Sequence, residues 1–535
     1  MKITPFALPA GWARAAGCVA VLLALGGGGG PAGAQADSVR NNLPALGDDA
    51  SQDLDLLAER KLGDRVMRDI RRDPDYLDDP LLLEYLQRLW QPLRQAAQAR
   101  GDIPDDLERL FAWEPFLVRD RTVNAFAMPG GYMGVHLGLI ALTGSADELA
   151  AVLAHELSHI TQRHIARGMV SSQRQGLATA AAVLLGLVLA SRSATVDAAQ
   201  AVMVGGQAVA MQHQLNFSRE MEREADRVGW QVLNTAGFAP GGMAAMFEKL
   251  DNSSRLNDSN QYPYLRTHPL TIDRIAEARL RTPAGAPAVG PVSLAEHALM
   301  QARAKVLVDG SEPALRRMQA LGAPGSPGVG PARLGALYGA ALASLQLRDM
   351  PAYQQAIASA LAWVGQGPDA ASLRRTLTLL QLQATAERTP AVAAAQTLQG
   401  PLAQDRTRPA LLLRAQAALA GQRGGDPQAD SALRNNLQAL QGWVVEHRQD
   451  AAAWQALAQT AQTKGQTLRA QRASAEVAAA LGDTLGAVER MRVAQPMVRN
   501  EPTVDYVEAS VVQSRLRELE AERRRQMSEA KGPGE

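Results

Sequence analysis

His155-Glu156-Leu157-Ser158-His159 sets two imidazoles four residues apart with a carboxylate between them. On a helix, positions i and i+4 share a face, so both rings can bind one metal ion. Neutral imidazole suits zinc, and a hydrolytic zinc site keeps one position open for water and substrate. Glu156 stands to one side of the pair, placed to take a proton from water held there. With 8 His in 535 residues, chance gives this pattern in roughly one chain in a hundred. The setting argues for chemistry instead. Leu149, Val152, Leu153, Leu157 and Ile160 make the surrounding helix apolar on several sides, and buried histidines beside a buried glutamate need partners. One Zn2+ per chain is the expectation.

The helix that carries the motif is expected to begin at Ala146, because Ser145 followed by Glu148 has capping-box spacing. Before it, residues 123–140 read as two short strand-like pieces around Met128-Pro129-Gly130-Gly131, a strong turn signal. A β-hairpin there either serves structure alone or offers an edge that an extended peptide joins by strand addition. His136, on this hairpin, is read as structural. Residues 37–122 are expected to form a helical layer, since 53–72 and 78–100 have helical apolar spacing.

A second chemical stretch runs from Ser218 to Gly229. Met221, Ala225, Val228 and Val232 form its inward stripe, with Glu222 and Asp226 on one flank and Glu224 on the other. A carboxylate from a second helix is the expected third zinc ligand, and a neighbouring one can orient a ligand histidine. Helical geometry does not choose between Glu222 and Glu224, and a solvated, salt-bridged face is the plain alternative. Further on, Thr271 can cap a helix that continues through Leu280, with His268 on the loop before it. From that loop His268 can donate to a developing oxyanion or fill the open zinc position.

The length implies two or more domains, and scarce aromatics (4%) with abundant Ala, Leu, Gln and Arg favour helix. A formal charge of +1 leaves no footprint for nucleic acid. Residues 1–36 read as a cleavable signal: Lys2 and Arg14 flank an apolar run from Ala15 to Leu25, and Ala34 and Ala36 offer cleavage sites. Cys18, the single cysteine, lies inside that run. The chain beyond Ala36 then holds 53 basic and 54 acidic residues and no thiol, which fits export to a bacterial periplasm. The apolar segment Gly176–Ala190 falls short of the ~20 residues of a spanning helix; a buried helix or a flap touching a membrane fits it better.

Taken together, His155-Glu156-Leu157-Ser158-His159, Glu222-Arg223-Glu224-Ala225-Asp226 and His268-Pro269 with Arg274 resemble the zinc metallopeptidase family that includes HtpX, the CAAX-prenyl endopeptidases and the periplasmic β-barrel assembly-enhancing proteases. The family's second motif ends in Ala-Asp. Placing Ala225-Asp226 on it implies Glu222 as third ligand and Asp226 as the residue supporting a ligand histidine. The resemblance covers roughly residues 50–280. Its periplasmic branch implies a soluble enzyme that removes misassembled outer-membrane β-barrel precursors and assists their assembly machinery. There the histidine matching His268 is implied to close the zinc site. A disulfide tying two domains together is impossible in this chain beyond Cys18.

The expected fold is mainly α. A zincin-type metallopeptidase domain with a small hairpin or sheet (37–281) is followed by a Pro/Gly/Ala linker (282–293), an α-helical tetratricopeptide-like repeat array (294–500) and a charged tail (501–535). The best repeat starts near Trp454, with Leu457, Ala458, Ala461, Gly465 and Ala470 at repeat positions. A stacked helical array leaves a concave face for a protein partner. A rival reading is a chaperone or docking protein whose metal site is structural or closed by His268.

Overall fold

The computed structural model describes residues 55–171, 218–256, 262–283, 285, 290–500 and 506–530. The signal and the apolar segment 176–190 lie outside the described residues. Among the described residues the chain forms 22 α-helices and one four-stranded sheet.

Helix α1 (Leu56–Ile70) is capped by Asp55, which accepts from the Ala58 amide. Helix α2 (Pro80–Arg100) starts behind Asp79, whose side chain accepts from the Leu82 amide, and stops at Gly101 with φ +83°. Both follow the apolar spacing of the sequence. Strands β1 (Tyr76–Leu77) and β2 (Glu114–Val118) were not legible in it. Two residues make no pattern, and the five-residue run of β2 is as apolar as a helix segment. Its partner β4 (Tyr132–His136) is parallel and distant in sequence, and pairs with β3 (Ala125–Met128) through the expected hairpin. The order β1-β2-β4-β3 leaves β3 at the edge. The turn needs its glycines: Gly130 and Gly131 have φ +76° and +84°, and a Cβ on Gly131 would lie 2.9 Å from Phe111 Cβ.

Helix α5 (Ala146–Thr161) runs behind this sheet, and every residue from Ala146 to Ile160 is buried. Ser145 Oγ accepts from the Glu148 amide at 3.2 Å, while the Glu148 carboxylate accepts from the Gly144 amide and from Lys249 Nζ. Helix α7 (Arg219–Thr235) lies against α5, following α6 (His164–Ser171). Gly229 permits the approach, because a Cβ there would meet the Ala154 carbonyl oxygen at 3.0 Å.

From Leu294 onward the structure is a stack of helices ending in Tyr506–Ala530. Trp454, Leu457, Ala458, Ala461 and Ala470 are all buried in one cluster, and Gly465 turns the chain between their helices with φ +72°. Residues 506–530, expected as a charged tail, form a helix whose Val512, Leu516 and Leu519 pack with Val488 and Met491. One apolar core runs from Leu82, Leu86 and Leu153 through Leu299 and Tyr338 to Leu377. Along this seam Arg303 pairs with Asp79, Arg375 with Glu84 and Asp405, and Arg408 with Asp78 and Asp450. With one cysteine in the chain, these ion pairs stand where no disulfide can form.

Candidate metal centre

His155, Glu156 and His159 project from the C-terminal half of α5, and all three are buried. Their Nε2 atoms lie 3.0 Å apart. Helix α7 brings Glu222 over them, with carboxylate oxygens 3.6 Å from His155 Nε2 and 3.4 Å from His159 Nε2. The loop after the short helix Pro263–Thr267 adds His268, whose Nδ1 is 2.8 Å from Glu222 Oε1 and 3.4 Å from His155 Nε2. These four side chains form a buried group in which one ligand atom from each lies within 4.8 Å of the others. Ligands roughly 2.0–2.2 Å from a tetrahedral zinc ion stand about 3.3 Å from one another. The contacts among His155, His159 and Glu222, at 3.0–3.6 Å, are near that spacing.

Its chemistry also fits a cation. Asp226 Oδ1 lies 3.0 Å from His155 Nδ1, off the hydrogen-bonding direction, and its charge beside that nitrogen favours the proton there. His159 Nδ1 lies 2.9 Å from His164 Nδ1, and His164 Nε2 lies 3.0 Å from Glu224 Oε2. The carboxylate takes the Nε2 proton of His164, which leaves His164 Nδ1 as acceptor for His159. Both Nε2 lone pairs then face the same point beside a carboxylate.

The pattern of peptidase family M48 matches residues 84–282. This chain carries an M48 peptidase domain. A Vibrio cholerae protein provisionally named beta-barrel assembly-enhancing protease is 39% identical over 269 residues, 50% of this chain and 51% of its own. The beta-barrel assembly-enhancing protease of Escherichia coli is 36% identical over 263 residues, 49% of this chain and 51% of its own. The mitochondrial metalloendopeptidase OMA1 of Schizosaccharomyces pombe is 31% identical over 163 residues, 30% of this chain and 44% of its own. The chain spans about half the length of the beta-barrel assembly-enhancing proteases that it matches.

Within the M48 domain, Arg274 holds the carboxylates in place. Its Nε and Nη2 donate to Asp226 at 2.7 and 2.8 Å. Its Nη1 lies 2.8 Å from Glu222 Oε2 but off the hydrogen-bonding direction, donating instead to the Pro269 carbonyl. Thr271 caps the helix Ile272–Arg281 that presents Arg274. Burial works against the Asp226 and Glu222 carboxylates, but His155 and Arg274 for the first, and His268 and His159 for the second, hold both below the usual range. Burial, aided by the neighbouring His155 and His268, pushes His159 well down, and burial aided by the Glu222 carboxylate pushes Glu156 up. His268 goes the other way: burial opposes its charge, and the Glu222 and Glu156 carboxylates outweigh burial.

Glu222 and Glu224, equivalent on helical geometry, divide cleanly: Glu222 faces the histidine pair, and Glu224 faces His164 and Arg167. His136 lies apart from the cage, buried against Phe126 with Nδ1 2.9 Å from Thr122 Oγ1. Three contacts were missed on reading the sequence. Ala127 N, on edge strand β3, donates to Glu156 Oε2 at 3.0 Å. Tyr264 stacks on His268 with centroids 4.6 Å apart. His164 backs His159, and its place five residues after the motif was the one available hint.

Proposed function

We propose that this chain is a zinc-dependent endopeptidase of the periplasm that acts on misassembled outer-membrane β-barrel proteins. The observation that carries the reading is the buried cage of His155, His159, Glu222 and His268, with one ligand atom of each within 4.8 Å of the others, set beside Glu156. His155, His159 and Glu222 would hold the metal. When bound, zinc supplies Lewis acidity that polarises a scissile carbonyl and acidifies water. Every other part belongs to the chain. The Ala127 amide fixes Glu156 Oε2, leaving Oε1 without a hydrogen bond and placed to accept the proton of the attacking water. Protonated Glu156 can then deliver that proton to the leaving amine. Asp226 and His164 fix the tautomers of the two histidines, and Arg274 fixes Asp226. Strand β3, an edge strand next to Glu156, is where an extended substrate would align.

His268 is the fourth donor, so the site is closed while that ring stays; displaced from Glu222, it would face an oxyanion instead. The relatives named beta-barrel assembly-enhancing protease support the general kind of substrate and an outer-membrane setting. No described helix is long and apolar enough to cross a membrane. We assign residues 1–36 to the export signal, 37–281 to the peptidase and 294–500 to tetratricopeptide-like repeats that recruit substrate or the assembly machinery. A second reading, a docking protein with a permanently closed site, is favoured by the 2.8 Å contact of His268 with Glu222. Casein hydrolysis by the purified chain separates the two. The peptidase reading predicts slow cleavage by wild type, about tenfold faster cleavage by His268→Ala, and none by Glu156→Gln. Absence of cleavage in all three, with zinc retained, would leave the docking reading.

A further inference from the structure

Among the described residues three arginines are buried, and two are neutralised where they stand. Arg274 pairs with Asp226 through two hydrogen bonds, and Arg303 pairs with Asp79 in the same way. Arg414 is the exception. It is 8% exposed, has no carboxylate within ion-pair distance, and its Nε has no partner; the acidic group whose charge reaches it, Asp405, is bonded to Arg375. Its Nη1 donates only to the carbonyls of Leu402 and Ala403. A desolvated cation without a counter-charge is costly, and this protein neutralises its other two.

Arg414 lines a cavity of about 710 Å³ bounded by the helices Pro390–Gln399, Arg408–Arg423 and Ala429–Glu446, outside the peptidase match. That is within the roughly 300–1,000 Å³ of ligand pockets. Asn436 lines it too, and is 4% exposed. Its amide nitrogen donates to the Ala432 carbonyl at 2.9 Å, which fixes the amide's orientation and leaves Oδ1 an acceptor with no partner. Leu411 and Trp443 add apolar surface, exposed Arg406 a second positive charge, and exposed Glu446 one negative charge.

A donor short of an anion beside an acceptor short of an N–H matches one end of a peptide. We propose that this cavity binds the C-terminal carboxylate of an extended polypeptide. The carboxylate sits on Arg414, the terminal residue's N–H on Asn436 Oδ1, and its side chain against Leu411 and Trp443. Glu446 disfavours a doubly charged ligand. A free chain end gives the repeat array a recognition element that does not depend on the peptidase site.

The test uses the full chain carrying Glu156→Gln, so that no probe is cleaved, on an array of random decapeptides made as matched free-acid and C-terminal-amide pairs. The expected result is retention of a subset of peptides with at least tenfold preference for the free acid. Arg414→Met abolishes that preference and Asn436→Leu weakens binding several-fold. Equal binding of acid and amide, a preference that survives Arg414→Met, or no retained peptide would overturn the proposal. Binding that follows internal Asp or Glu would overturn it in favour of an acidic side chain. Arg414 also anchors the 400–407 loop, so circular dichroism accompanies each variant. Should Arg414→Met unfold, Asn436→Leu decides: undiminished binding overturns the proposal. None of these outcomes depends on the metal centre.

Discussion

Arg303 meets the Asp79 carboxylate, and Arg375 and Arg408 each lie between two carboxylates, all at hydrogen-bond distances of 2.6–3.1 Å. Around His155 and His159, by contrast, lone pairs and carboxylates converge on one point. There Glu156 Oε1 and Glu222 Oε2 are buried without a hydrogen bond. Both regions bury charge, yet only the first is complete within the chain. Satisfied polar networks rigidify a fold, whereas crowded ionisable groups with unused capacity mark a site where something else enters. The seam ties the helices before residue 120 to those after residue 290; the cage groups side chains that could hold a cation.

The difference can be broken at each end. Removing a cage donor has the largest effect: Glu222→Ala should lose essentially all zinc after dialysis against a weak chelator, read by elemental analysis, while circular dichroism stays unchanged. At the seam the reverse should hold. Arg303→Met leaves Asp79 buried and unpaired and should cost about 3–5 kcal/mol in urea unfolding, with zinc content intact. Smaller again, His164→Leu takes away the acceptor that fixes His159 and should weaken zinc binding about 10–100-fold in a chelator competition titration. The smallest effect is on pH dependence. Burial raises the Asp450 and Asp405 carboxyls, but bonds to Arg408 for the first, and to Thr407 and Arg375 for the second, hold both below their ordinary 3.8. Their stabilisation is therefore present above pH 3.8 and is lost as pH falls through the depressed values. A pH series of thermal melts should show wild type losing stability below pH 3.8, and Arg408→Met losing less.

Much of this was legible because it is local. The Ser145 cap, the i,i+4 histidines and the Thr271 cap each depend on residues within one or two helical turns, so spacing alone places them. The hairpin was legible for the same reason, since Pro129 to Gly131 dictate a turn. What stayed hidden depends on approach across the fold. Arg274 reaches Asp226 over 48 residues, Ala127 reaches Glu156 over 29, and β2 finds β4 only in three dimensions. Glu222 and Glu224 were indistinguishable on α7 by geometry because the choice is made by what packs against the helix, not by the helix itself.

The most direct test of the zinc assignment is anomalous diffraction at the zinc edge from crystals of the purified chain. The account predicts one peak per chain, about 2.0–2.2 Å from His155 Nε2, His159 Nε2 and a Glu222 oxygen. A cage with no peak, or a peak held by other residues, would contradict it.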